Sequence, residues 1–189
     1  DRSPSRGLGD VYKRQIYWFS ADDIVTEYAD AIEISRDGNN YTIEKALLRP
    51  YFKPTKKAEK GRNSYSILTT DKQIIFPYDS NGQLISIDEM KNKYPGTYAY
   101  FLAHYDRLVP KCVSPNGTRD VQNATSDTWY QYGRTQALTA FINTPKLIVG
   151  VLSKEPMYVM DTNDMLIASG GTAGYCAVSK KEGLSLIHI

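Results

Sequence analysis

Between Ile24 and Ser35 the apolar positions carry two periods at once. Ile24, Tyr28 and Ile32 recur every fourth residue, as along one face of a helix, while AIEIS alternates as a half-buried strand does. RDGNN then marks a turn. TIEKALLRPYF predicts a short helix from Ile43 that stops before Pro50, because proline disfavours the α conformation in its predecessor. SYSILTT and QIIFPY are rich in β-branched and aromatic residues and are separated by Asp71-Lys72, which predicts a hairpin; Pro77 marks an edge or a strand exit.

DSNG is the next turn, and QLISI leads into a capping box of Ser86 with Glu89 three residues on. The short helix that follows should end near Tyr94-Pro95-Gly96. A longer helix is predicted from Thr97 to Val109, with Tyr98, Phe101, Leu102, Tyr105 and Leu108 forming one apolar face. Residues 111–128 are polar and aperiodic, a stretch long enough to indicate a binding loop or disorder. After WYQYGR, TQALTAF has a helical pattern. KLIVGVLS, MYVMD, MLIAS and GYCAV predict four strands, with TND as a turn between the second and third. The chain is expected to be α+β, a mixed fold with a few short to medium helices and its strands concentrated in the last third.

The two ends do not continue these patterns. DRSPSRGLGDVYKRQ (1–15) and LSLIHI (184–189) look like translated adapter sequence, so the fold is expected to lie within 16–183, as a fragment of a longer parent. The whole chain has 23 basic and 21 acidic residues; without the four basic and two acidic residues of 1–15, 19 of each remain. Against that neutral background, Lys45 to Arg62 holds seven basic side chains and one acid, Glu59. Such a local surplus fits either a solvated loop or a polyanion-binding patch. No apolar run is long enough for a membrane helix. Cys112 and Cys176 form no CxxC pair, which fits a reducing, cytoplasmic compartment.

A search for catalytic chemistry finds no GxSxG, HExxH or GxxxxGK(S/T) pattern. His104 is the one histidine outside the tails and has no metal-binding neighbour at helical spacing, so a structural role is expected. ASGGTAGY follows a strand but is followed by β-like YCAVS. Gly170, Gly171 and Gly174 therefore read as turn or bulge glycines and not as a cofactor loop. Asp30 with Glu33, and Asp161 with Asp164, lie on or beside turns, where acids serve local hydrogen bonds. A metal-dependent nuclease would require acids and a lysine converging from adjacent strands, and Lys154-Glu155 lies in a turn-like SKEP. No catalytic residue, metal ligand or cofactor site is assigned.

Three segments together carry a resemblance. IIFPYDSNGQLISIDEMKNKYPGTYAYFLAHYDRL, followed by WYQYGRTQAL and PKLIVGVLSKEPMYVMDTNDMLIASGG, closely resembles the TaqI-like C-terminal specificity domain. This is the target-recognition domain of DNA adenine-N6 methyltransferases, including fused restriction–modification enzymes. The likeness runs from about EKALLRPYFK to Val178, with its pieces in the family's order. It implies a mainly antiparallel sheet and a double-stranded DNA partner. It also implies a parent that transfers a methyl group from S-adenosylmethionine to a flipped adenine. In the family, the catalytic domain lies upstream with an (N/D/S)PP(Y/F/W) motif and a cofactor loop. Neither is present here, so this fragment is expected to bind no cofactor and to methylate nothing.

The resemblance also ranks the candidate contacts. Lys53, Lys56, Lys57, Lys60 and Arg62 would neutralise phosphates. Sequence reading would fall to the irregular parts: the loops Lys53–Arg62 and Lys111–Thr128 and the turns near Ser153–Pro156, which holds the candidate contact Lys154, and Ser169–Gly174. In WYQYGRTQ, Arg134 and Gln136 are candidate DNA contacts, while Trp129, Tyr130 and Gly133 support them. The signature recurs in relatives with different recognition sequences, so it does not itself distinguish bases. For Arg134 a phosphate or sugar contact, a structural pairing and a guanine contact all stay open. The competing reading is a protein-interaction or scaffold domain whose basic patch is incidental.

Overall fold

The computed structural model describes residues 16–52, 70–133, 145–150, 158–167 and 175–178. The chain forms two compact units, Asp1–Leu48 with Ile74–Gln136, and Arg49–Gln73 with Ala137–Ile189.

In the first unit, β1 (Trp18–Ser20) leads through a 3-10 turn into β2 (Ile24–Glu27), β3 (Ala31–Arg36) and β4 (Asn39–Glu44). These last three form an antiparallel sheet in the order β2-β3-β4. The two-residue period of AIEIS thus prevails over the fourfold spacing of Ile24, Tyr28 and Ile32. Ile32 pairs with Ile43, and Ile24 with Ile34. Ile32, Ile34 and Ile43 are buried while Tyr28 is half exposed, which is what alternation across a sheet demands. The β3–β4 turn has both central residues in the left-handed region, Asp37 at φ 52° and Gly38 at φ 81°. That geometry matches the twist of a two-residue hairpin.

The helix expected from Ile43 is absent. Ile43 is a cross-strand position of β4, only Lys45–Leu47 makes a single 3-10 turn, and β5 (Leu48–Phe52) follows at once. Pairing with β3 and burial of Ile43 override local helix preference. The strands are accordingly not confined to the last third. QIIFPY begins as β6 (Lys72–Ile75), beside β1, where the Ile75 amide donates to the Tyr17 carbonyl at 2.6 Å. The other arm of the predicted hairpin, SYSILTT, falls outside the described residues except for Thr70.

Three helices follow: α1 (Ile87–Lys93), α2 (Pro95–Ala103) and α3 (Tyr105–Leu108). The Ser86 hydroxyl accepts the Glu89 amide at 3.3 Å, and Pro95 opens α2, where a missing N–H does no harm. The single helix predicted over 97–109 is broken at His104 (φ −112°, ψ 21°). The Tyr100 carbonyl there engages the His104 ring at 2.8 Å, and the His104 amide turns to Phe101 and Leu102 instead. The buried stripe is Thr97, Tyr100, Phe101, His104 and Leu108, whereas Leu102, expected on the apolar face, is 46% exposed. Ile16, Tyr17 and Phe19 join Ile75, Met90, Trp129 and Tyr130 in this unit's core. Each fully buried aliphatic or aromatic side chain contributes about 1.5–3 kcal/mol.

In the second unit, β7 (Lys146–Gly150) runs between β8 (Tyr158–Asp161) and β10 (Tyr175–Val178), antiparallel to both. Leu147 and Ile148 are buried on this central strand. β9 (Leu166–Ile167) pairs parallel with β5 through Tyr51 and Leu166. All four predicted strands of this region are present, although TQALTAF and the glycine cluster lie outside the described residues. The protein is α+β, with antiparallel pairing predominant. Among the described residues, no helix is long and apolar enough to cross a membrane.

Candidate nucleic-acid interface

Lys53, Lys56, Lys57, Lys60, Arg62, Arg134, Gln136 and Lys154 all lie outside the described residues. Of the basic stretch, Lys45 and Arg49 are described, and Lys45 is committed within the protein. Its ammonium group donates to the Glu27 carboxylate at 2.8 Å and to the Tyr28 carbonyl at 2.6 Å. The segment that delivers Arg134, Trp129 to Gly133, is described in full.

Trp129 is 3% exposed and Tyr130 not at all. They lie in turns and not in a strand, so side chains must hold their backbone in place. Trp129 packs edge-on against Tyr105 at 4.8 Å, and Tyr130 stacks on Phe101 at 5.9 Å. The Tyr130 hydroxyl donates to the Ile85 carbonyl at 2.6 Å. Tyr132 lies edge-on to Tyr17 at 5.0 Å, and its amide donates to the Tyr78 hydroxyl at 2.6 Å. Gly133 is exposed, and an added Cβ would meet only ordinary contacts, the nearest at 3.8 Å. Among the described residues, nothing around Gly133 demands glycine.

The segment's backbone is fixed by a residue that the sequence did not single out. Arg119 is 8% exposed, and its guanidinium donates from Nη1 to the Tyr17 hydroxyl at 2.9 Å and the Leu108 carbonyl at 2.7 Å. A longer contact of 3.4 Å reaches the Trp129 carbonyl, and Nη2 donates to the Gln131 carbonyl at 2.5 Å. The Tyr17 hydroxyl in turn donates a hydrogen bond to the Tyr130 carbonyl at 2.9 Å. Burial pushes the Tyr17 phenol up to about 12, with the adjacent Arg119 charge pulling the other way. Tyr78 is likewise raised by burial. The network is therefore neutral phenols around one permanent cation, and it orients main-chain carbonyls.

The polar stretch 111–128 is held by the same means. The Lys111 amide donates to the Arg119 carbonyl at 3.0 Å and the Thr118 amide to the Val109 carbonyl at 3.1 Å, so the loop's two arms pair at its base. Gly117 lies so close to Pro110 that an added Cβ would sit 2.2 Å from its carbonyl oxygen. Cys112 Sγ approaches the Val121 carbonyl at 3.2 Å, and the Thr128 hydroxyl accepts the Thr125 amide at 2.8 Å. Asn116, Gln122 and Asn123 remain exposed on the outside.

A lysine and an acid do converge from the adjacent strands β7 and β8, at Asp161, one of the acids expected to serve local hydrogen bonds. Lys146 of β7 contacts Asp161 of β8 at 2.7 Å, and Asp164 at 3.9 Å. Lys146 and Asp161 are each 1% exposed, however, and Asp161 also accepts the amides of Asn163 and Met165. A carboxylate so enclosed and so satisfied is structural. His104 is buried between Tyr41 and Tyr100, with Nε2 3.5 Å from Asp37. Among the described residues, no group of three or more His, Cys, Asp or Glu is placed to hold a metal.

No family model matches the chain. The chain is 34% identical over 148 residues to the Type II restriction enzyme and methyltransferase RM.Eco57I of Escherichia coli. That match covers 76% of this chain but 14% of the relative, so the chain spans only a small part of that protein's length. The relation to a restriction–modification methyltransferase is distant and partial.

Proposed function

We propose that this chain is the sequence-recognition, DNA-binding part of a site-specific DNA adenine-N6 methyltransferase of a restriction–modification system. Methyl transfer from S-adenosylmethionine belongs, in this reading, to a catalytic domain outside the chain. The observation that carries the reading is the 34% identity to a restriction enzyme and methyltransferase, spread over 148 residues that contain no (N/D/S)PP(Y/F/W) motif.

The division of labour follows from charge. Lys53, Lys56, Lys57, Lys60 and Arg62 supply the counterion-releasing contacts to phosphates, with Lys154 as a further cation. Arg134 lies two residues beyond Tyr132 in the sequence, and the planar fork of a guanidinium suits a phosphate. Gln136 lies two residues further on. Trp129 and Tyr130 are fully used in packing and keep no ring face for a base.

Binding of the full chain to a mixed-sequence duplex, followed by fluorescence anisotropy, tests this. Changing Lys53, Lys56, Lys57 and Lys60 together to Gln should weaken binding and lower the salt slope by about 3–4. Equal binding by the native and neutralised chains would remove the DNA reading of the loop. Arg134→Lys should weaken all sequences alike; an altered sequence preference would instead assign Arg134 to a base.

A further inference from the structure

Arg119 is expensive for a mere loop tie. A guanidinium that is 8% exposed gives up hydration, and every hydrogen bond it makes here goes to a neutral oxygen. What it offers over a neutral side chain is a rigid, planar set of donors that fixes several acceptors at once. Its acceptors are Leu108, at the end of α3, and Trp129 and Gln131, beyond the far end of the loop. Both ends of 109–131 are therefore registered on one buried group.

What that base holds out to solvent is a pair of amides. Gln122 and Asn123 are exposed neighbours, and Asn123 sits in the left-handed region at φ 58°. The Gln131 side-chain amide donates to the Gln122 carbonyl at 3.4 Å, which links this pair directly to the segment leading to Arg134. The nearby cation Lys111 is already paired with Asp120 at 3.1 Å. A neutral amide edge adds little electrostatic affinity, but it can match the donor and acceptor of an adenine edge in the major groove. The backbone beneath it is tied beforehand, at Val121 by Cys112 and at Gln122 by Gln131, so binding has to order two side chains and not a loop.

We infer that Arg119 is a positioning residue that presents Gln122 and Asn123 as a preformed base-reading edge. The inference rests on the DNA-binding reading above and assigns discrimination, as distinct from affinity, to this loop.

The test uses the full chain in two assays: selection from duplexes with a randomised central segment, and anisotropy against a mixed-sequence duplex over a salt series. The native chain should enrich a motif. Gln122→Ala with Asn123→Gly preserves the backbone at both exposed positions and should keep the salt slope. It should reduce preference for the motif roughly 5- to 150-fold. Arg119→Lys keeps the charge but cannot span the acceptors, so wherever it folds by circular dichroism it should lose the same preference. A native chain that binds no duplex would sink both this inference and the proposed function. Binding without enrichment, or a native preference in the double variant or in folded Arg119→Lys, would overturn this inference alone.

Discussion

Glu44 and Thr97 hold each other through three hydrogen bonds. The Thr97 amide and hydroxyl donate to Glu44 Oε2 at 2.8 and 2.5 Å, and the Glu44 amide donates to the Thr97 hydroxyl oxygen at 3.3 Å. Glu44 Oε1 also accepts the Gly96 amide at 2.8 Å. The last residue of β4 thus serves as the N-terminal cap of α2, supplying negative charge where unpaired amides and the helix dipole favour it. Glu44→Ala should cost about 1–3 kcal/mol in urea unfolding, because it leaves part-buried donors without partners. A change within the noise would mean that α2 is capped by solvent.

Two glycines should respond in opposite ways to the same substitution. Gly117→Ala drives a Cβ to 2.2 Å from the Pro110 carbonyl oxygen, where backbone and not a flexible side chain must give way. About 1–3 kcal/mol of destabilisation is expected. Gly133→Ala meets nothing closer than 3.8 Å among the described residues and should stay within about 0.5 kcal/mol of native. Thermal melting of the two variants side by side checks both, and a reversed order would contradict the close approach of the loop's arms.

Lys146→Met would leave the Asp161 carboxylate buried with its backbone amides but no cation. Loss of one partner from a buried pair typically costs about 3–5 kcal/mol, because the remaining charge is uncompensated. Hydrogen exchange of the β7 and β8 amides should accelerate strongly. Unchanged protection would show that the pair is dispensable.

Alkali should unfold this protein from a defined side. Burial raises the Tyr17 and Tyr100 phenols to about 12, against roughly 10 in an unfolded chain. A phenol whose folded pKa is raised contributes stability that is complete below pH 10. That contribution is lost as pH climbs toward 12, since the unfolded chain releases its proton first. Each such tyrosine should reduce stability by up to about 1.4 kcal/mol per pH unit in that window. Ultraviolet titration should show exposed tyrosines ionising near their ordinary value and the buried ones only on unfolding. Ionisation of all 15 tyrosines near pH 10 with the fold intact would contradict the burial.

How far the sequence discloses this fold depends on how local each cause is. RDGNN, Ser86 with Glu89, and KLIVG were legible because turn residues, a cap and a central strand each depend on their own few positions. Ile24, Tyr28 and Ile32 satisfied a helical period by accident, and only pairing with Ile34 and Ile43 decides for strands. Ile43 read as a helix start for the same reason. The break at His104 depends on its ring reaching the Tyr100 carbonyl, which no periodicity encodes. Arg119 was invisible because its partners are main-chain oxygens and a tyrosine more than a hundred residues away, and those leave no spacing to recognise.

The salt dependence of duplex-DNA affinity for the full chain tests the central claim most directly. The account predicts binding whose logarithm falls linearly with the logarithm of salt concentration, at a slope of about −4 to −6 for roughly five to seven neutralised phosphates. Absence of binding at low salt, or binding with a slope near zero, would contradict it.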